Sequence, residues 1–273
     1  MSIPLTGTLV LVGAGKMGGA MLEGWLKSGV DPKKFVVLDP FASDDLKALL
    51  SKYDVSLNPA VSSIGNVEVV LIAVKPQMME EVLPPIVVLG ASKPLILSVA
   101  AGKTIASFER HFGKAAAIIR TIPNTPASIG RGITAMSANP NVSAKQLQLA
   151  RELLSAIGEV VTVDREELID CVTAVSGSGP AYIFYVTECL AAAAEKLGLP
   201  SALAMQLARA TVAGSGELMR VSGIAAATLR QNVTSPKGTT HAALQVLMAD
   251  DALQQLFDKA VKAAADRSKE LAS

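Results

Sequence analysis

The chain has 273 residues, of which 50% are hydrophobic and 18% are charged, and its formal net charge is +1. This length suits one large domain or two ordinary domains, and the composition excludes a disordered chain, which requires low hydrophobicity and a high net charge. The even charge balance, without any block of basic residues, argues against a nucleic-acid-binding protein.

The two cysteines, Cys171 and Cys189, lie in neither a disulfide framework nor a metal-binding pattern. We therefore expect no metal site and a reducing, cytoplasmic location. The longest apolar run with strand character, residues 67–74, contains Glu68 and is far shorter than the roughly 20 residues of a membrane-spanning helix. No basic segment precedes the apolar residues at the amino end, so we expect neither a secretory signal nor a membrane partner.

The first 164 residues alternate between apolar strands and amphipathic helices. Predicted strands cover residues 8–12, 34–39, 67–74, 95–100, 116–121, 132–137 and 159–163, and predicted helices cover residues 17–28, 43–52, 78–89, 105–111 and 143–157. The last of these helices opens with a capping pattern between Ser143 and Gln146. Such alternation is typical of βαβ units, so we predict an α/β fold with a doubly wound, mostly parallel sheet.

Strand patterns end near residue 164, and the rest of the chain predicts helices over residues 166–198, 201–222, 224–232, 239–248 and 252–271. We therefore predict a sheet domain over residues 1–164 and an all-α domain over residues 165–273. The helical domain has little core of its own and is rich in alanine and glycine, which suit close helix packing. This favours a homodimer that buries the apolar helix faces, and a monomer whose helices pack on the sheet domain is the alternative.

The strongest local motif is the sequence Gly-Ala-Gly-Lys-Met-Gly at residues 13–18. It directly follows a predicted strand and opens a predicted helix, which is the context of a dinucleotide-binding turn. There Gly13 permits the tight turn, Gly15 lets a pyrophosphate approach the backbone, and Gly18 allows the helix and the strand to pack closely. The helix N-terminus then supplies N–H groups to the phosphates. A glycine-rich turn without a ligand is the alternative.

Asp39 ends the second predicted strand, where an acidic residue usually binds the ribose 2′-hydroxyl of NAD and repels the 2′-phosphate of NADP. No arginine lies nearby in the sequence to accept a phosphate. Asp39 therefore favours NADH as the cofactor. The alternative is a solvated carboxylate at a strand end.

Three later strand ends also lie at the edge where a doubly wound sheet binds its ligand. After the strand at residues 67–74, Lys75 either points toward a cofactor or caps a carbonyl group. Small side chains at residues 99–102 leave room beside a bound ring. Residues 120–126 form a polar loop that two prolines make rigid.

Two segments interrupt the helices of the second half. Residues 176–182, Ser-Gly-Ser-Gly-Pro-Ala-Tyr, place glycine and proline inside a helical pattern, which costs helix stability. Close approach of a partner helix would compensate for this cost, and close approach of a cofactor is the alternative. Residues 232–241 predict a loop that runs into a helix, where free N–H groups and the hydroxyls of Ser235, Thr239 and Thr240 suit a small carboxylate. An ordinary helix capped by Ser or Thr is the alternative.

The sequence has two histidines and lacks the HExxH, GxSxG and Walker A motifs. The sequence therefore offers few residues for a catalytic zinc site or for a Ser–His hydrolase. A reaction in which a bound cofactor performs the difficult chemical step fits the composition better.

Four segments in chain order, GAGKMG, AVKPQ, RTIPNTP with VSGSGPAY, and TSPKGTTHAAL, resemble the pyrroline-5-carboxylate reductases, from about residue 8 to the last helix. The resemblance implies a Rossmann domain followed by a helical dimerisation domain, in a homodimer that can assemble further into a decamer. It also implies that NADPH or NADH reduces the C=N bond of 1-pyrroline-5-carboxylate, a cyclic imino acid, to L-proline. This reaction is the last step of proline biosynthesis.

The resemblance and the motifs together assign residues to two ligands. The residues expected at the cofactor are Val12, Gly13, Ala14, Gly15, Lys16, Met17, Asp39, Ala73, Val74, Lys75, Pro76, Val99, Ala100 and Ala101. The residues expected at the substrate are Glu166, Asn232, Ser235, Gly238, Thr239 and Thr240.

Thr240 matches the residue that the family uses as proton donor to the ring nitrogen, so it is the expected catalytic residue. A threonine hydroxyl is a weak acid near neutral pH. We therefore expect Thr240 to hydrogen-bond the nitrogen, while the proton comes from a protonated iminium substrate or through a water molecule. Glu166 either stabilises the cationic iminium or is only a carboxylate in the first turn of a helix.

The chain departs from the family at three positions. Lys237 stands where the substrate loop usually has glycine, and there it would attract the substrate carboxylate or face water. His241 replaces a commonly apolar residue, and Asp39 a commonly neutral one, which leaves the choice between NADH and NADPH open.

Other functions remain as alternatives. A β-hydroxyacid dehydrogenase-like enzyme would need a catalytic lysine within residues 177–188, and none occurs there. A reductase of a related cyclic imine would keep every motif. A nucleotide-sensing protein that binds NAD(P)H without turnover is the third alternative.

Overall fold

The computed structural model describes residues 3–272 and divides the chain into two compact units. The first unit comprises the residues up to 177 together with those from 264 onward, and the second comprises residues 178–263. The last strand of the described chain ends at Thr162. The domain boundary after residue 164 follows this change from strands to helices, and it stays a prediction.

Eight strands of the described chain form one sheet in the first unit. They are β1 (Thr8–Val12), β2 (Phe35–Leu38), β3 (Ser56–Leu57), β4 (Val67–Ile72), β5 (Leu95–Ser98), β6 (Ala117–Ile122), β7 (Gly132–Ala138) and β8 (Gly158–Thr162). Their order is β3-β2-β1-β4-β5-β6-β7-β8, with β6 and β7 antiparallel and the other neighbours parallel. The predicted doubly wound, mostly parallel sheet is confirmed. The carboxyl ends of β1, β2, β4 and β5 lie at one edge, on both sides of the point where the strand order reverses.

Helices cover both faces of this sheet. They are α1 (Lys16–Lys27), α2 (Asp44–Tyr53), α3 (Met79–Ile86), α4 (Ile105–Phe112), α5 (Ala144–Ser155) and α6 (Leu168–Val172). On the face of α1, α2 and α5, Trp25 stacks on Phe35 with ring centroids 5.6 Å apart and donates its indole N–H to the carbonyl oxygen of Leu153 at 2.7 Å. On the opposite face, Leu83 of α3 and Phe108 of α4 are fully buried. The sheet is thus held by an apolar core on each side.

Side-chain caps mark the start of three α-helices in the described chain, α2, α4 and α5. The capping box at the start of α5 is present, since Ser143 and Gln146 bond to each other's backbone N–H groups. The single helix predicted over residues 166–198 is wrong, because a π-helical turn at Thr173–Gly177 separates α6 from α7 (Gly179–Lys196). The glycines and the proline of residues 176–182 lie at this change of helix geometry.

The described part of the second unit is helical. It contains α7, α8 (Ser201–Ser222), α9 (Ala226–Asn232), α10 (Thr239–Met248) and the first part of α11 (Ala252–Ala272). The helices α7 and α8 pack against each other, and the side chains that they bury are the small ones of Ala191, Ala204 and Ala208. Many large apolar side chains on these helices stay exposed, such as that of Phe184, which is 61% exposed. In the described chain, no helix combines the length and the apolar character that a bilayer span requires.

Candidate functional site

The turn between β1 and α1 has the backbone geometry that the glycine motif predicts. Gly13 has a φ of +82°, and a Cβ there would lie 2.6 Å from Cγ1 of Val74. A Cβ on Gly18 would overlap the carbonyl oxygen of Gly13. Both glycines are therefore required by the packing of helix on strand.

Gly15 differs from its two neighbours, because nothing lies within 4 Å of the position that its Cβ would take. It is the N-cap of α1, and no side chain caps the helix. The first N–H groups of a helix have no partner within it, so they are available to a ligand above this open surface. An open surface over an uncapped helix N-terminus fits the pyrophosphate of a dinucleotide.

The carboxylate of Asp39 is bound to backbone at the end of β2. Its Oδ2 accepts the N–H of Ala14 at 2.8 Å, and its Oδ1 accepts the N–H of Phe41 at 2.9 Å. Asn58 holds the backbone of Asp39 in two hydrogen bonds, one to its N–H and one to its carbonyl oxygen. The negative charge is therefore held beside the glycine turn, and its role at the ribose stays a prediction.

The segment after β4, residues 73–76, lies next to the same turn. The N–H of Ala73 donates to the carbonyl oxygen of Val12 at 2.8 Å. Within residues 3–272, the ammonium of Lys75 has neither a hydrogen bond nor an ion pair, so it caps no carbonyl group there. Its predicted role at a cofactor stays a prediction.

The segment after β5, residues 99–101, continues this edge of the sheet. The N–H of Val99 donates to the carbonyl oxygen of Ile72 at 3.0 Å, and the N–H of Ala100 donates to Oγ of Ser98 at 3.2 Å. The residues expected at the cofactor therefore gather at the carboxyl ends of β1, β2, β4 and β5.

Sequence reasoning missed a buried charged cluster around Arg120 of β6, whose side chain is 2% exposed. Its Nη1 lies 3.0 Å from Oε1 of Glu166, and its Nη2 lies 3.6 Å from Oδ1 of Asp170. Oε1 of Glu166 also accepts the N–H of Ile105 at 2.8 Å, and Oδ1 of Asp170 accepts the hydroxyl of Ser268 at 2.7 Å. The cluster joins β6, α4, α6 and α11 within the first unit.

One sequence signal could have found this cluster. Arg120 is a lone charged residue in the buried strand Ala-Ile-Ile-Arg-Thr-Ile, and a buried charge has to be paired. Its partner Glu166 lies 46 residues further along the chain, so the pairing itself cannot be read from local pattern. Glu166 was expected at the substrate, and that role stays a prediction. In the described chain, no three His, Cys, Asp or Glu side chains are grouped so that they could hold a metal ion.

The other residues expected at the substrate lie in the second unit, on α9, on the start of α10 and on the loop between these helices. The N–H of Gly238 donates to the carbonyl oxygen of Ser235 at 3.0 Å, so residues 235–238 form a turn. Lys237 is the third residue of this turn and has a φ of +61°. A positive φ at this position favours glycine, and in this chain a lysine adopts it.

The helix α10 begins at Thr239 with Gly238 as its N-cap, and no side chain caps it. The alternative of a helix capped by Ser or Thr is therefore wrong. The hydroxyl of Ser235 is exposed, as is that of Thr239, whereas Thr240 is half-buried. Free N–H groups beside these hydroxyls suit a carboxylate.

Two family models match the chain. One is described as pyrroline-5-carboxylate reductase dimerisation and matches residues 166–271. The other is described as NADP oxidoreductase, coenzyme F420-dependent, and matches residues 8–102.

Curated relatives and solved structures agree with the first of these models. A pyrroline-5-carboxylate reductase of Synechocystis is 40% identical over 265 residues, which cover 96% of this chain and 97% of the relative. One of Pseudomonas aeruginosa is 37% identical and covers 98% of this chain and 97% of its own. The structure of a pyrroline-5-carboxylate reductase from Coxiella burnetii has a TM-score of 0.92 and 36% identity, covering 98% of this chain and 100% of the other. That of a pyrroline carboxylate reductase from Plasmodium falciparum with NADP bound has a TM-score of 0.82 and 26% identity, covering 98% and 99%.

Proposed function

This chain belongs to the pyrroline-5-carboxylate reductase family, and from that we infer that it reduces the C=N bond of 1-pyrroline-5-carboxylate with NADPH or NADH to give L-proline. The observation that carries this proposal is the 40% identity to a curated reductase over 96% of the chain. The reaction is the last step of proline biosynthesis.

The first unit provides the residues for the cofactor, which supplies the hydride when it is bound. The N–H groups at the start of α1 bind the pyrophosphate, for which the open position at Gly15 leaves room. Asp39 binds the ribose beside the glycine turn. The segments at residues 73–76 and 99–101 line the side where the nicotinamide lies.

The second unit provides the loop for the substrate carboxylate. The uncapped N-terminus of α10, with the hydroxyls of Ser235 and Thr239, binds this carboxylate. Thr240 hydrogen-bonds the ring nitrogen, and Asn232 completes the loop. Because a threonine hydroxyl is a weak acid, the proton on nitrogen comes from the iminium form of the substrate or from a water molecule.

Glu166 is assigned to the positive charge of the iminium. Its Oε1 is used by Arg120 and Ile105, whereas no hydrogen bond from the described residues reaches its Oε2. The side chain is 25% exposed, so this second oxygen is the one available to a ligand.

The proposed assembly is a homodimer through the helical unit, and the resemblance to the family implies that such dimers can assemble further into a decamer. The support is the dimerisation model over residues 166–271 and the exposed apolar side chains of these helices. We also propose a cytoplasmic location, because Cys171 and Cys189 are both free and exposed thiols, which persist in a reducing compartment.

The test is oxidation of NADPH and of NADH by the purified protein with 1-pyrroline-5-carboxylate, with proline measured as the product. We expect turnover, and we expect Thr240→Ala to lower kcat/KM about tenfold, as the loss of one hydrogen bond predicts. The control is Thr228→Ala, which removes an exposed hydroxyl from α9. Cofactor binding without turnover of this imine would contradict the proposal and favour a related cyclic imine or a sensor.

A further inference from the structure

The loop after β5 packs against the carboxyl-terminal part of α11. Gly102 is buried and has a φ of +70°, and a Cβ there would lie 3.2 Å from both Cβ and the carbonyl oxygen of Leu271. Residues 99–101 of this loop are the segment proposed to line the nicotinamide side. The end of α11 therefore supports the loop from behind.

The buried charged cluster of Arg120, Glu166 and Asp170 binds the other end of the same loop. The loop ends at Ile105, whose N–H donates to Oε1 of Glu166, the oxygen that also accepts Nη1 of Arg120. On its other side Arg120 faces Asp170, which accepts the hydroxyl of Ser268. Ser268 is three residues before Leu271 on α11. The contacts thus form a closed ring that starts and ends at the loop of residues 102–105.

The stability of the fold does not explain a buried arginine at this place. Nε and Nη2 of Arg120 are buried and have no hydrogen-bond partner in the described structure. An apolar side chain of similar volume would fill β6 without this cost, since buried ion pairs often stabilise less than apolar residues do. The arrangement instead binds Arg120 to two carboxylates, of which Glu166 holds the N–H of Ile105 and Asp170 holds the hydroxyl of Ser268.

We propose that Arg120 is a positioning residue for hydride transfer: with Glu166, Asp170 and Ser268 it fixes the loop of residues 99–105 between α6 and the end of α11. The loop then presents a rigid wall to the nicotinamide. This proposal rests on the proposed function, because the reductase reaction gives the loop its role.

The first test compares Arg120→Lys and Ser268→Ala with the unchanged protein. Lysine keeps the charge but cannot reach two carboxylates with a planar fork, and alanine removes only the link to α11. We expect kcat to fall about 10- to 100-fold in Arg120→Lys and less in Ser268→Ala, because a displacement of about 1 Å at a reacting group costs about 100-fold. The KM for pyrroline-5-carboxylate should change little in Ser268→Ala, whose hydroxyl bonds to Asp170 and not to Glu166. Amide exchange should become faster at residues 99–105 in both variants.

The matched control for Ser268→Ala is Ser155→Ala, which removes a helix serine whose hydroxyl bonds only to its own helix. It should leave kcat and the exchange of residues 99–105 unchanged. If Ser268→Ala behaves like this control, the link to α11 has no positioning role and the proposal is overturned.

A second pair of variants tests the contact with α11. Gly102→Ala adds a methyl group against Leu271, whereas Gly130→Ala adds one at nearly the same φ, +67°, with nothing within 4 Å. Both variants therefore place alanine at a positive φ, which strains its backbone. Only Gly102→Ala should lower kcat and weaken the binding of NAD(P)H, measured by fluorescence titration. Equal effects of both variants would assign the loss to strain and contradict the proposal.

These readouts separate the two proposals. If the unchanged protein fails to reduce pyrroline-5-carboxylate, the proposed function fails, while the exchange of residues 99–105 and the affinity for NAD(P)H still report on the loop. Faster exchange and weaker binding in Ser268→Ala would then support the positioning role, and unchanged values would overturn it.

Discussion

At Asp39, two backbone N–H groups hold one carboxylate in a fixed orientation. A solvated carboxylate could turn away from a 2′-phosphate, but this one cannot without losing both hydrogen bonds. A 2′-phosphate placed at the end of β2 would therefore meet a negative charge that is held in position.

We predict that Asp39→Ser raises the ratio of kcat/KM for NADPH to that for NADH about tenfold, since removal of the charge ends this repulsion. The serine hydroxyl can still accept the N–H of Ala14. Steady-state kinetics with both cofactors measures the ratio. Asp45→Ser, an exposed change in the first turn of α2, is the control, and an unchanged ratio in Asp39→Ser would show that Asp39 does not select the cofactor.

Lys237 has a φ of +61°, a left-handed backbone conformation that favours glycine. We predict that Lys237→Gly raises the free energy of unfolding by about 0.5 to 1 kcal/mol, because a left-handed conformation costs a side-chain residue more than it costs glycine. Chemical denaturation measures this change. Lys93→Gly, at a φ of +50° in the first unit, should give a similar gain.

The same two variants test whether the ammonium of Lys237 binds the substrate carboxylate or faces solvent. A KM for pyrroline-5-carboxylate that rises in Lys237→Gly but not in Lys93→Gly assigns the charge to the substrate carboxylate. An unchanged KM in both assigns it to solvent.

The carboxylate of Glu68 links β4 to Thr6 and Gly7, which precede β1. Glu68 accepts the N–H of Thr6 at 2.6 Å, the N–H of Gly7 at 2.7 Å and the hydroxyl of Thr6 at 2.8 Å. Burial by itself raises the pKa of Glu68, but these hydrogen bonds, together with the charge of Lys145, outweigh burial and hold the pKa below its ordinary value of 4.5.

We predict that Glu68→Gln lowers the free energy of unfolding by about 1 kcal/mol near neutral pH, because an amide has a single acceptor oxygen and its NH2 group cannot accept the hydrogen bonds made to the other carboxylate oxygen. A lowered pKa in the folded state makes the contribution complete above pH 4.5 and removes it as the pH falls through the folded-state value. The difference between variant and unchanged protein should therefore vanish in acid. Denaturation at pH 7 and in acid checks this, with Glu159→Gln on β8 as the control, and a difference independent of pH would contradict it.

Elements with a strong local signal were predictable from the sequence. The capping box of α5 and the glycine turn before α1 depend on residues that are neighbours in the chain. The strand β3 has only two residues, Ser56 and Leu57, too few for any alternation to show. The sequence predicted an interruption of the helical pattern before α7, but it did not predict that a π-helical turn lies there.

The same distinction applies to the candidate site. Gly13, Gly15 and Gly18 could be assigned because each role follows from one turn. Arg120 could not, because its meaning depends on Glu166 and Ser268, which reach it only through the fold. A single sequence does not show which charged residues pair with each other across the fold.

For the molecule as a whole, the exposed apolar surface of the helical unit predicts self-association. We expect a dimer or a larger oligomer by light scattering, and we expect Phe184→Glu to shift it toward monomer, because a charge buried in an apolar interface costs several kcal/mol. Ile129→Glu, at a residue 75% exposed in the first unit, is the control. An unchanged mass for Phe184→Glu would place the interface elsewhere.

The first unit is discontinuous in sequence, since the helical residues 178–263 are inserted before its last segment. Translation starts at the amino end, so all eight strands of the sheet are synthesised well before Ser268. Until then Asp170 lacks the hydroxyl of Ser268, and Gly102 lacks its contact with Leu271. These two contacts form only after residues 178–263 have been synthesised, although domains made first usually fold first. The unit that begins at the amino end is therefore completed by the last residues to leave the ribosome.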